Sequence, residues 1–88
     1  MSSTVVQGAT TIGASTTQLT TSAVGGSVIV IALSGNSGTA YLGNSSVTSS
    51  DGFPLIAGAT VQMDIIDASR LWVAGTQNDI VRYLVVGP

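Results

Sequence analysis

The sequence predicts an all-β fold: a small antiparallel β-sandwich or compact barrel with an extended N-terminal arm. Three observations predict it. Short apolar runs rich in Val, Ile and aromatic residues recur at near-regular spacing, as strands do in small all-β domains. Turn clusters separate them, among them Gly35-Asn36-Ser37-Gly38, Gly43-Asn44-Ser45-Ser46 and Thr76-Gln77-Asn78-Asp79, built from residues that accept the backbone angles turns require. No stretch carries a helical period.

Residues 1 to 22 are Ser/Thr-rich with scattered apolar residues, Val5, Val6, Ala9, Ile12 and Leu19, too polar for a core element by themselves. β-branched Thr and Val favour extended backbone, so this segment is expected to be an arm or an edge strand, added to its own sheet or to that of a neighbouring copy. Residues 23 to 88 form the β-sandwich domain. Within it Ser27-Val28-Ile29-Val30-Ile31-Ala32-Leu33-Ser34, bounded by Gly25-Gly26 and Gly35-Asn36, is a buried central strand. Thr39-Ala40-Tyr41-Leu42-Gly43 is a short strand expected to pair with it as a hairpin. Pro54 cannot donate to a ladder, which puts Asp51-Gly52-Phe53-Pro54-Leu55 at an edge or loop, with Phe53 and Leu55 plugging one end of the core. Val61, Met63 and Ile65 alternate with Gln62 and Asp64, the signature of a half-buried antiparallel strand. Leu71-Trp72-Val73-Ala74-Gly75 and Ile80-Val81-Arg82-Tyr83-Leu84-Val85-Val86 complete the set.

A chain of 88 residues forms one domain near the lower limit of independent stability. With no Cys and no His, neither disulfides nor a zinc site can reinforce it, and association with a partner is the expected supplement. Only 7% of residues are charged, against about 25% in ordinary soluble domains, so the surface is Ser/Thr/Asn/Gly-coated, partner-covered, or both. Two arginines and a net charge of -2 argue against nucleic acid, which needs clustered Lys and Arg. The longest apolar stretch, residues 28 to 33, is far shorter than the roughly 18 residues of a spanning helix, so no membrane partner is expected. Met1-Ser2-Ser3-Thr4 lacks the basic and apolar regions of a signal peptide, which points to synthesis in a cytoplasm.

The same composition argues against an enzyme. Hydroxyls abound, but a nucleophilic one needs a base, and the chain has no His, Lys or Glu. Asp51, Asp64, Asp67 and Asp79 are the only carboxylates; their spacing fits no calcium loop, so neither a metal nor a cofactor is expected. Trp72, Tyr41, Tyr83 and Phe53 can stack on sugars if they share an exposed face; core or interface packing is their commoner use. Arg70 and Arg82 have Asp64, Asp67 and Asp79 as candidate partners.

Successive side chains of a strand point to opposite faces. Val28, Val30 and Ala32 therefore oppose Ile29, Ile31 and Leu33, and Val81, Tyr83 and Val85 oppose Leu84 and Val86. Both faces are apolar, whereas a two-layer sandwich covers only one. The second face needs the amino-terminal arm, another subunit or another protein. The residues expected at such an oligomer or partner interface are Val28, Val30, Tyr41, Trp72, Arg82 and Tyr83.

The run from Ala32 to Asn44, followed by Val47-Thr48, Gly52-Phe53-Pro54-Leu55, Ala57-Gly58 and Asp67 through Leu71-Trp72-Val73-Ala74-Gly75, resembles small β-sandwich proteins encoded among the virion genes of tailed bacteriophages. The resemblance spans residues 24 to 86 and contains no catalytic signature. It implies a capsid decoration or cement protein: a homo-oligomer, often a trimer, that binds the major capsid protein on the outside of the head and stabilises the shell. A tail or head-fibre component and a carbohydrate-binding β-sandwich module are the alternatives.

Overall fold

A computed structural model describes residues 4–87. Eight strands, each antiparallel to its neighbours, form two four-stranded sheets. The strands are β1 (Thr4–Thr11), β2 (Thr17–Gln18), β3 (Gly26–Ala32), β4 (Ala40–Gly43), β5 (Phe53–Leu55), β6 (Thr60–Ile65), β7 (Trp72–Ala74) and β8 (Ile80–Gly87). The first sheet has the order β1-β8-β3-β6 and the second β2-β7-β4-β5. Every connection except β4 to β5 passes from one layer to the other. The fold is therefore an all-β sandwich.

The apolar run around Val30 is a central strand, flanked by β8 and β6. Its inward residues Val28, Val30 and Ala32 join Val81 and Val85 of β8 and meet Leu42, Leu55 and Val73 of the second layer. Two links of this layer-crossing chain add to the core. Ile12 and Leu19, which flank β2, are 1% and 2% exposed, and a single turn of 3-10 helix (Ala68–Arg70) inserts Ala68. That turn is capped by Asp67, whose carboxylate accepts from the Ser69 amide at 2.9 Å.

Three expectations need correction. β3 and β4 lie in different sheets and make no hairpin. The link between them is pulled across by long-range bonds: the Asn36 side chain donates to the Ile80 carbonyl and accepts from the Ile80 amide, both at 2.9 Å. Phe53 does not plug the core; only Leu55 is buried, and Phe53 stands at the rim of an edge strand, 58% exposed. Val28 and Val30 are fully buried, because the inward side of β3 is the side facing the second layer. They are closed to any partner.

The described start of the N-terminal segment, Thr4–Thr11, does not lie across either face. β1 pairs with β8 along its whole length, from Thr4 opposite Gly87 to Thr11 opposite Ile80, and so forms the edge of its own sheet.

Candidate interaction surface

Cross-strand register assembles the outward face of the first sheet into rows. Val5, Val86, Ser27 and Asp64 form one; Gln7, Leu84, Ile29 and Gln62 the next; Ala9, Arg82, Ile31 and Thr60 the third. The middle of this face is aliphatic. Val5 is 55% exposed, Val86 38%, and Ile31 and Leu84 36% each, with half-buried Ile29 between them. The β-branched members have few rotamers to lose, so covering them costs little side-chain entropy. Its charges are Arg82, which is exposed, and Asp64 on the β6 edge, which accepts from the Ser27 hydroxyl at 3.2 Å.

The other expected interface residues divide by face. Arg82 belongs to the surface just described. Tyr83 points the opposite way, inward over Gly8, where an added Cβ would collide with its ring. Tyr41 and Trp72 lie on the outward face of the second sheet: they alternate with buried Leu42 and Val73, and pair with Ala74 and Gly43. This makes them diagonal neighbours on one face, both half-buried. Beside Tyr41 a groove of about 470 Å³ is walled by hydroxyls, including those of Ser15, Thr16, Thr39, Thr48 and Thr76.

Sequence reading placed Val28 and Val30 on this interface and left out Ile31, Leu84, Val86 and Val5. One signal for the right parity was present. Arg82 marks the outward side of β8, so Leu84 and Val86, two and four residues on, must share that side. β3 carries no such marker between residues 28 and 33, and its parity follows only from pairing with β8.

Three aspartates are structural. Asp79 is almost covered; its Oδ1 accepts from the Ser37 amide at 2.9 Å and the Ser37 hydroxyl at 3.1 Å, and its Oδ2 from the Gly38 amide at 2.9 Å. The Ser37 amide above all, then the Gly38 amide and Ser37 hydroxyl, hold this carboxyl below its ordinary value against the opposing cost of desolvation. Asp67 is lowered first by the Ser69 hydroxyl and Asp51 first by the Thr48 amide. A carboxyl lowered by folding contributes stability that is fully present above its unfolded value and lost as pH falls through its folded one. With no histidine, the melting temperature should be nearly flat from about pH 8 to 5 and fall below about pH 4. Asp79→Asn presents an NH2 where the Gly38 or Ser37 amide needs an acceptor. Thermal melts should show it several degrees less stable than the parent at pH 7 and less sensitive to acid; equal melting at pH 7 would deny the clamp any role.

Among the described residues, no group of three or more His, Cys, Asp or Glu is placed to hold a metal ion, and no helix is long and apolar enough to cross a membrane. The chain matches no family model, no curated protein and no solved structure.

Proposed function

We propose that this protein is a non-enzymatic structural module that works as a small homo-oligomer, and that its place is the outer surface of a phage head, where it binds the major capsid protein and reinforces the shell. The aliphatic outward face of the first sheet, formed by Val5, Ile31, Leu84 and Val86, carries the reading. Among the described residues nothing covers it, since β1 runs along the sheet edge and not over its face, which leaves it free for the shell. Removing a few hundred Å² of such surface from water contributes several kcal/mol at about 25 cal/mol per Å², comparable with the net stability of a small domain. The assignment of the partner to a phage shell rests on the sequence resemblance.

The test is native mass by light scattering, followed by co-sedimentation with empty heads of the phage that encodes the chain. The parent should be a discrete oligomer that pellets with the shells, and the triple variant Ile31→Thr, Leu84→Thr, Val86→Thr should lose the shells while melting within a few degrees of the parent. A monomer that ignores the shells would sink the reading.

One observation favours a second reading. Tyr41 and Trp72 share a face beside a hydroxyl-lined groove, an arrangement suited to stacking on a sugar ring. It supports an appendage or carbohydrate-binding module, which predicts glycan-array binding that Trp72→Ala abolishes.

A further inference from the structure

Among the described residues the sandwich has four edge strands, and three carry a device that discourages pairing with another chain. β2 is two residues long, β5 has Pro54 at the centre of its three, and β6 carries Asp64. Short length, proline and charge are the usual protections of a sheet edge. β1 has none of them. Its eight residues contain no charge and no proline, and its ladder with β8 runs through eight consecutive pairs without a bulge. It is a long, regular, uncharged edge, the kind that accepts another strand.

The opposite edge of the same sheet is incomplete in a complementary way. Between β6 and the second layer the sandwich gapes into an almost wholly apolar groove of about 340 Å³, lined by Leu42, Gly43, Phe53, Val61, Met63 and Leu71. Val61, Met63 and Ile65 face inward but are only half-buried, because among the described residues no strand lies beyond them to close the layer.

From these two edges we infer that copies of this chain join head to tail, β1 of one copy adding antiparallel to β6 of the next. The polarity fits: neighbouring strands alternate throughout the order β1-β8-β3-β6, so a further β1 beyond β6 continues the alternation without inverting a face. The chemistry fits as well. Inward-facing Val6 of the added strand comes beside Val61, Met63 and Ile65 and roofs the groove. Asp64 meets an uncharged strand, whereas two β6 edges joined to each other would bring their Asp64 carboxylates toward one another. A joint between unlike edges repeats from copy to copy and closes into a ring when its rotation permits; a trimer is one such ring. The inference rests on the self-association proposed above and specifies its geometry, leaving the aliphatic outward face for the shell.

The absence of native cysteine makes the test clean. Gln7 and Gln62 are exposed and lie on the outward side of β1 and β6. Gln7→Cys, Gln62→Cys and the double variant are treated with a short bis-maleimide at low protein concentration and run on a denaturing gel. The double variant should form covalent trimers or a ladder, and each single variant should stay monomeric. Dimers from Gln7→Cys alone would show β1 pairing with itself, and dimers from Gln62→Cys alone would show β6 doing so; either overturns the inference. An oligomer by light scattering with no cross-link in any variant also overturns it, but spares the proposed self-association; a monomeric parent overturns both. As a second measurement, Gln7→Lys with Ala9→Lys places two charges on the β1 edge at exposed positions and should drop the native mass to that of a monomer with circular dichroism unchanged. Persistence of the oligomer would overturn the inference.

Discussion

Deleting residues 4 to 20 should leave a chain that cannot fold, and Leu19→Ala alone should cost about 3 kcal/mol. The segment is polar in composition but not peripheral. Ile12 and Leu19 are almost as buried as the inward residues of the central strands, and the Thr10 hydroxyl donates to the Leu19 carbonyl at 2.6 Å, tying β1 to the second layer. The deletion removes two large core side chains and all of β1, exposing the full length of β8. A domain of this size has about 5–15 kcal/mol in hand and cannot absorb that loss. Urea unfolding followed by Trp72 fluorescence is the measurement, with Val5→Thr as the control; Val5 is on the outward face and its replacement should stay within about 0.5 kcal/mol of the parent. A truncated chain that still unfolds cooperatively near the parent midpoint would make the segment a detachable arm after all.

Gly25→Ala should be the most damaging single-methyl change in the protein, at about 3 kcal/mol. A Cβ on Gly25 would fall onto the Ile66 carbonyl oxygen, a backbone atom that cannot swing aside. Gly26 beside it has φ +138 and no room for a Cβ against the Val86 carbonyl. The two glycines let the ends of β6 and β8 close on the start of β3. Gly35 offers the contrast: nothing lies within 4 Å of its missing Cβ, so Gly35→Ala should be neutral or stabilise by up to about 1 kcal/mol through the unfolded chain. Comparable melting temperatures for the two variants would refute this account of the Gly25 contact.

The two glycine sites also show where sequence reading reaches its limit. Gly25-Gly26 and Gly35-Asn36 look alike as strand boundaries, yet one is a crowded backbone junction and the other an open turn; the difference lies in Ile66 and Val86, far along the chain. Strands were legible where local pattern suffices. The run around Val30 and the alternation of Val61, Met63 and Ile65 gave β3 and β6 within a residue or two. Partnership was not legible in the same way. The turn after β3 has hairpin composition, but Asp79 and Ile80, more than 40 residues on, hold Asn36, Ser37 and Gly38 and send the chain to the other layer. The placement of Val28 and Val30 at the interface failed for a related reason: with valine and isoleucine on both sides of β3, composition cannot say which side the second layer will cover.

The pairing of Thr4 with Gly87 has a mechanical consequence. A load applied through the two ends of the β1–β8 pair pulls at the same end of one antiparallel ladder, whose bonds lie perpendicular to the strands. Such a pair opens as a zipper, one bond at a time, and yields at low force. A load spread across the sheet faces or along the strands must shear many bonds at once. The molecule is therefore weak as a tether and strong as a plate, and any reinforcement it gives comes from how it lies and not from what is tied to its ends.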